Sequence, residues 1–476
     1  MLTITVFGCG YVGLTTAVGL AEIGHRVLGV DTDTKKIALL KKGVAPFYEP
    51  GVAELLQRNI TKKRLTFSND ARRGIRESEI IFSAVATPPL KDYHADLSAV
   101  FKVAKAFGQF GANGKVFINK STVPPGTSDK IRMTIETEAR LSAKQGAKTF
   151  RFDVISNPEF LREGSAIEDF FHPDRIVAGL EKNSSRLKNL VKAIYRPMAS
   201  AGVPIYFTDI CSSEVIKYAS NAYLATRISL INELAIFCEK AGADIKKVAR
   251  GMGLDKRIGT HYLQAGVGFG GSCLPKDLTA LIETGKQCGF NFELLKAVRS
   301  VNQRQVDFVI NKLGKIFGHI GEKSGLLREK SSLKGKTIAL WGLAFKPRTD
   351  DIREAPSIKI ISLLLKAGAT VKVHDPAATH NVRALFGKRL HYHSDHYSVL
   401  RSADALVILT DWKEFRSPDY AKMKYLMSGR NIVDGRNCLD PAKAKKAGFV
   451  YYGVGRALAR SGSGAAFALP VPDVDL

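Results

Sequence analysis

No two cysteines in this sequence stand close enough to form a CxxC. The six, Cys9, Cys211, Cys238, Cys273, Cys288 and Cys438, are scattered along the chain. That excludes a disulfide framework and a cysteine-built zinc site, fits a reducing cytoplasm, and leaves no metal expected. Long apolar runs are also missing, so no segment reads as a membrane span. The opening "MLTITVFGCG" lacks a basic stretch and is interrupted by glycines, so it does not read as a signal peptide. Acids are scarce beside bases: 45 Asp+Glu against 71 Lys+Arg give a net charge of +26. Such an excess favours phosphate-bearing ligands, nucleic acid or an anionic surface without choosing among them. The basic residues are spread out, with only short clusters such as Lys62, Lys63 and Arg64. They read as a solvated face, and nucleic acid is not expected.

What is present is enough apolar material, 45 % of 476 residues, for two or three full cores. "LTITVF" is a β-branched run, "GCGYVG" a glycine turn, and "LTTAVGLAEIG" a helix of small apolar residues. "RVLGV" follows as a second strand closed by Asp31. Strand, turn, helix, strand and acid open a parallel α/β sheet. Further strands are expected at 79–85, 115–119, 152–158 and 174–180. Residues 209–242 read as one long, mostly apolar helix, N-capped by Ser212 or Ser213 and buried between domains. A second helix is expected at 292–313. From "TIALWG" a second α/β unit begins, with strands at 337–342, 370–376, 403–410 and 431–437 but no GxGxxG. The expected fold is therefore α/β, with two Rossmann-like doubly wound domains joined by a long central helix. The expected boundaries are 1–205, 206–320 as a helical dimerisation region, 331–456, and a disordered tail at 457–476.

Gly8, Gly10 and Gly13 fit GxGxxG between a strand and a helix. The first allows the tight turn, the second admits a pyrophosphate, and the third lets helix and strand pack closely. Asp31 ends the next strand where a ribose would lie, and its charge would repel a 2′-phosphate, which favours NAD over NADP. Thr87, in "VATPP", and Ser121 and Thr122, in "KSTVPPGT", end strands of the same sheet and face either a ligand or ordinary proline turns. In "NPEFLREG", Glu159 and Glu163 read as a general base or as a helix-start pair. Lys217 and Asn221 share one face of the long helix. A lysine there needs a partner, either a structural acid such as Glu214 or a substrate oxygen.

"GVGFGGSCLPKD" sets Cys273 after a glycine run and before Lys276 and Asp277. Bare backbone there would let a ligand lie close, and Lys276 would favour a thiolate, which attacks carbonyls well. A single alcohol oxidation needs no thiol. An aldehyde yields a second hydride readily only after something adds to its carbonyl. Nicotinamide site and cysteine together therefore point to alcohol becoming carboxylate in two NAD-dependent steps. That argues against a simple hydroxy-acid dehydrogenase.

"GCGYVG", "KSTVPPGT", "NPEFLREG", "EVIKYASNAYLA", "GLDKRIGTHYLQAGVGFGGSCLPKD", "FKPRTDDIREAP" and "DGRN" occur in order. Together they resemble the UDP-glucose/GDP-mannose dehydrogenase family, most closely its UDP-glucose branch, from residue 1 to about 455. The resemblance implies four-electron oxidation of UDP-glucose to UDP-glucuronate for polysaccharide biosynthesis, with GDP-mannose or a UDP-N-acetylhexosamine as the alternative substrate. It implies Cys273 as nucleophile. Lys217, Asp277 and Thr122 would manage the first proton and oxyanion, Glu159 would activate water, and Asn221 would hold oxyanion or sugar. The implied NAD contacts are Gly8, Gly10, Tyr11, Val12, Gly13, Asp31, Lys36, Thr87, Ser121, Thr122, Glu163, Lys276 and Arg353. The implied sugar-nucleotide contacts are Glu159, Phe160, Leu161, Arg162, Lys217, Asn221, Arg257, Tyr262, Gln264, Phe269, Gly270, Lys346 and Arg436. Arg257 would reach the substrate of a neighbouring subunit, which implies a homodimer at least. Leu274 stands where an aromatic is common in the family, Gln264 departs near the uridine site, and "PPLKDYHADL" lacks the usual glycine.

Overall fold

The computed structural model describes residues 1–145, 149–318 and 333–456. The chain divides into two units. One comprises Met1–Asn221 with Thr279–Asn291, the other Ala222–Leu278 with the chain from Phe292 onward. The tail expected to be disordered, and most of the polar stretch before residue 333, lie outside the described residues.

The first unit is built on eight strands: β1 (Thr3–Phe7), β2 (Arg26–Val30), β3 (Leu65–Ser68), β4 (Ile80–Ser83), β5 (Val116–Asn119), β6 (Asp153–Ser156), β7 (Ile176–Leu180) and β8 (Ile205–Thr208). Their order is β3-β2-β1-β4-β5-β6-β7-β8. Neighbours are parallel except β6 and β7, which pair antiparallel with Ile155 opposite Leu180. β1 carries β2 on one side and β4 on the other, so the winding reverses there. That reversal opens a crevice at the carboxyl ends of the strands, the usual ligand position in such sheets. Ile4 and Val6 of β1 are fully buried, as are Leu14 and Val18 of the following helix Tyr11–Glu22.

The second unit holds β9 (Thr337–Trp341), β10 (Thr370–His374), β11 (His391–Tyr392), β12 (Ala405–Ile408), β13 (Asn431–Asp434) and β14 (Val450–Gly453). All pair in parallel, in the order β11-β10-β9-β12-β13-β14. On β9, Ile338 and Leu340 join one core, while Ala339 and Trp341 join another. Both faces are covered, which is why the strand is an unbroken apolar run.

The long helix is Ile210–Ala241. Its cap is Asp209, whose carboxylate accepts from Ser212 N at 2.8 Å, and not Ser212 or Ser213. The helix is less buried than its composition suggested: Tyr223, Leu230 and Phe237 are exposed. Among the described residues no helix is long and apolar enough to cross a membrane.

Candidate active site

The glycine turn follows directly from β1. Gly8 has φ +87°, and a Cβ there would lie 2.7 Å from Ala84 O. A Cβ on Gly13 would lie 1.7 Å from Gly8 O, so helix and turn touch backbone to backbone. Around Gly10 nothing lies within 4 Å, and no side chain caps the helix Tyr11–Glu22 that it begins. Open space at an uncapped helix N-terminus suits a phosphate. Asp31, just after β2, accepts from Cys9 N at 2.8 Å, Asp33 N at 3.0 Å and Lys36 Nζ at 2.8 Å. Burial would raise its pKa, but the Lys36 bond and the two backbone donors outweigh this and hold the carboxyl below its usual range. These residues fit a dinucleotide: bare backbone for the pyrophosphate, then a fixed anion for the ribose hydroxyls.

The rest of the crevice is tightly wired. Thr87 donates to Thr122 O at 2.9 Å, and Ser121 donates to Val85 O at 2.7 Å, so both hydroxyls fasten β4 to β5 beyond their ends. The Tyr11 hydroxyl, adjacent to Val12, donates to Glu49. Glu49 in turn accepts from Gly164 N at 2.6 Å and Ala166 N at 2.8 Å. Burial, then Glu49 and Glu163, push the Tyr11 phenol well above its ordinary range. Its side chain is a tether, which leaves the backbone as the part of Tyr11 available to a ligand.

Glu159 and Lys217 form a buried ion pair, Nζ to Oε1 3.0 Å, with side chains 5 % and 4 % exposed. The second carboxylate oxygen of Glu159 accepts from Leu161 N at 2.6 Å. Lys217 therefore takes Glu159 as its acid, and not Glu214. Glu214 instead binds Gly126 N at 2.7 Å and Ser128 N at 2.9 Å, capping the helix Thr127–Lys144. Phe160 lies between cations, 3.6 Å from the Arg175 guanidinium and 5.3 Å from Lys217 Nζ. Arg162 turns to Asp169, and Asn221 is buried on the Lys217 face.

Sequence reasoning missed Lys120, the first residue of "KSTVPPGT". It is buried and donates to Asn157 Oδ1 at 3.3 Å and Tyr195 OH at 3.4 Å. Burial pushes its pKa down to about 8; Glu159 opposes the shift and Lys217 adds to it. A lysine after a strand end is an ordinary surface residue in sequence. Only the adjacency of β5 and β6, closed by Asn157 N to Asn119 O at 2.8 Å, reveals the cluster.

In the second unit Cys273 immediately precedes the helix Leu274–Gln287, and its carbonyl accepts from Asp277 N at 2.8 Å. The sulfur is half-buried and lies 3.6 Å from Ser272 Oγ. Lys276 Nζ and Asp277 Oδ1 pair at 2.7 Å, with Asp277 1 % exposed. The helix N-terminus puts positive potential at the thiol, while the Lys276 ammonium is held by Asp277. The glycine run packs differently from its expected role of clearing space for a ligand. A Cβ on Gly268 would meet Asn302 at 2.8 Å, one on Gly270 Glu354 O at 2.4 Å, and one on Gly271 the Phe345 ring at 2.7 Å. The glycines admit neighbouring protein in the segment that leads into Cys273. Phe269 is held by both amide atoms of Asn302, at 2.9 and 3.0 Å.

Arg436 donates to Leu409 O at 2.7 Å, Gly268 O at 3.2 Å and Phe345 O at 2.9 Å, so it stitches three loops together. Arg353 grips Asp351 with two nitrogens at 2.8 Å, and its carbonyl accepts from Gly271 N. Lys346 lies over the Phe345 ring, and Tyr262 has φ +62°. Gln264 reaches Thr260 O at 3.3 Å, and Arg257, 89 % exposed, pairs with Asp255.

A doubly wound sheet with an open glycine turn and a fixed acid after the second strand marks a dinucleotide-binding protein. Comparison with known proteins narrows this. Residues 2–199 match the NAD binding domain of the UDP-glucose/GDP-mannose dehydrogenase family, 211–304 its central domain and 339–441 its UDP binding domain. The chain belongs to that family and is an NAD-dependent oxidoreductase. It is 43 % identical to the UDP-glucose 6-dehydrogenase TuaD of Bacillus subtilis, across 97 % of this chain and 94 % of that one. It is 42 % identical to a UDP-glucose 6-dehydrogenase of Pseudomonas aeruginosa, across 96 % and 98 %. A UDP-glucose dehydrogenase structure from Pyrobaculum islandicum superposes with TM-score 0.85 at 38 % identity, covering 96 % of this chain and 98 % of that one.

Proposed function

We propose that this protein oxidises UDP-glucose to UDP-glucuronate, with Cys273 carrying the sugar between two oxidations. The observation that carries the reading is a half-buried cysteine at a helix N-terminus, followed at once by the Lys276–Asp277 pair. The relatives named above support the substrate, since they are UDP-glucose enzymes. NAD bound at the glycine turn supplies the hydride acceptor for each oxidation.

Lys217, Asp277 and Thr122 are assigned the hydroxyl proton and oxyanion of the first oxidation, with Asn221 holding the oxygen. The Cys273 thiolate then adds to the C6 aldehyde, forming a C–S bond and a thiohemiacetal alkoxide that takes up a proton. Loss of the second hydride and that proton leaves a thioester. Glu159 orients water against it. The C–S bond breaks, sulfur leaves as thiolate, and the carboxylate departs. The sum is one sugar nucleotide, two NAD⁺ and one water giving one uronate carboxylate, two NADH and three protons. Six free thiols support a reducing, cytoplasmic setting.

The test is NADH formed per UDP-glucose consumed with the sugar limiting. About two is expected, and none from Cys273→Ser, which still binds NAD. About one from the wild type refutes the thioester route. No turnover with UDP-glucose beside a full yield from GDP-mannose or a UDP-N-acetylhexosamine corrects the substrate.

A further inference from the structure

Five of the ten histidines fall between residues 374 and 396, a stretch that the proposed reaction does not use. His374 ends β10, His396 lies in the loop after β11, and Glu414 lies in the short turn Lys413–Phe415 after β12. One ligand atom from each of the three lies within 4.8 Å of the others. The Glu414 Oε1 atom is 3.0 Å from His374 Nε2 and 3.6 Å from His396 Nδ1.

The hydrogen bonding of His374 is what singles out this cluster. Its Nδ1 lies 3.1 Å from the carbonyl oxygen of His393, and its Nε2 lies 3.0 Å from a carboxylate oxygen. Both neighbours only accept, and a neutral imidazole has one proton to give. With Nδ1–H on the carbonyl, Nε2 faces the carboxylate, and that contact is satisfied either by a second ring proton or by a metal ion between the two. A backbone carbonyl at one nitrogen, orienting the other outward, is the usual support of a metal-bound histidine. His396 points at the same carboxylate oxygen through its Nδ1, 3.6 Å away, so both rings converge on Glu414. The rings rest on Trp341 and Phe415, which stack at 5.1 Å. Trp341 Nε1 donates to His396 O at 2.7 Å and fixes that loop. His374 is buried, whereas the Glu414 side chain is 40 % exposed, which leaves an entry for an ion.

We infer that His374, His396 and Glu414 form a binding site for one divalent zinc-class cation in the second unit, separate from the oxidation chemistry. Two imidazoles and a carboxylate are borderline ligands that favour Zn²⁺ over Mg²⁺ or Ca²⁺. Tetrahedral Zn²⁺ with ligand bonds of about 2.1 Å sets its ligands about 3.4 Å apart. The Glu414 oxygen already lies near that spacing from both rings, at 3.0 and 3.6 Å, so on binding the two rings adjust toward each other and water completes the shell. The ion ties together three segments at the carboxyl edge of the sheet. Asp375, next to His374, holds Leu343 N at 2.7 Å, Ala344 N at 3.0 Å and Trp412 Nε1 at 3.1 Å, so the clamp braces the β9 loop as well. This departs from the expectation of no metal, which rested on cysteine spacing alone.

The test uses the full-length protein, stripped with chelator and titrated with Zn²⁺ against a chromophoric chelator. Wild type, His396→Gln, Glu414→Gln and Cys273→Ser are compared, and the thermal midpoint is read with and without the ion. One Zn²⁺ per chain is expected, with a rise in midpoint of several degrees. Both His396→Gln and Glu414→Gln weaken binding at least tenfold, and Cys273→Ser retains it. Glu414→Gln sits at the surface and keeps the fold, so its loss of zinc reads the ligand. Absence of a zinc equivalent in the wild type overturns the site. So does binding that both cluster variants leave unchanged, or that only Cys273→Ser removes.

Discussion

Lys120 is the residue on which burial and chemistry meet most directly. Its pKa of about 8 lies below that of an unfolded lysine, because burial disfavours the ammonium. The sign follows from proton counts. Between pH 8 and about 10.4 the unfolded chain holds the proton that the folded chain has lost, so stability rises with pH there. Below pH 8 both states are charged and the cost of burying the cation is fully present. Relative to Lys120→Met, the wild type is expected to gain about 2 kcal/mol between pH 7.5 and 9.5. Urea unfolding at the two pH values checks this, and a constant difference would refute the depressed pKa. The residue-level contrast with the glycine turn is one of range. Gly8, Gly10, Gly13 and Asp31 are legible because their geometry is set by near neighbours in the chain. Lys120, Glu159 and Lys217 come from three separate segments, and no spacing announces them. The partner of Lys217 was open in sequence for the same reason: Glu214 is nearer along the helix, yet its side chain points to a different N-terminus.

At the scale of elements, the two N-termini that matter are built in opposite ways. The helix Thr127–Lys144 is closed by the Glu214 carboxylate, which accepts from Gly126 N, Ser128 N and Ser128 Oγ. The helix Tyr11–Glu22 has no side-chain cap, and space at Gly10 stays open. One terminus stabilises the fold, and the other is left for a ligand's phosphates. Glu214→Ala removes acceptors from three donors and is expected to cost about 2 kcal/mol of stability while the Kd for NAD stays within twofold. Gly10→Ala does the reverse: its Cβ meets no protein atom, so stability changes little, while the methyl intrudes on the pyrophosphate and NAD affinity falls at least tenfold. Denaturation and NAD titration of both variants separate the roles. The long strands and helices were legible because each carries its own apolar period. β3, β8, β11 and β14 were not, because polar or exposed positions interrupt their apolar runs and their partners define them more than their own sequence does. The strand at 174–180 was legible but its antiparallel direction was not, since a strand buried on both faces reads the same in either direction.

At the scale of the whole molecule, the long helix carries a stripe that the described residues leave exposed. Tyr223, Leu230 and Phe237 are 61 %, 47 % and 63 % exposed and recur every seventh residue. Seven residues are nearly two turns, so the three side chains lie along one line. Two aromatics and a leucine aligned in water argue for a partner surface, and a second copy offers the same stripe across a two-fold axis. The reading of this helix as buried was right about its composition and wrong about its cover, which the described residues do not supply on this face. We propose a homodimer on this face. Arg257, 89 % exposed, belongs to the same argument: an arginine assigned to substrate recognition yet turned to solvent is accounted for if it serves the neighbouring subunit. Leu230→Asp with Phe237→Asp is expected to bring the sedimenting mass from twice 51.9 kDa down to 51.9 kDa, with kcat/KM falling at least tenfold. Arg257→Ala is expected to raise KM for the sugar nucleotide while the mass stays that of the dimer. A wild type that sediments as a monomer removes the assignment, and a fully active monomeric variant shows that each chain completes its own site.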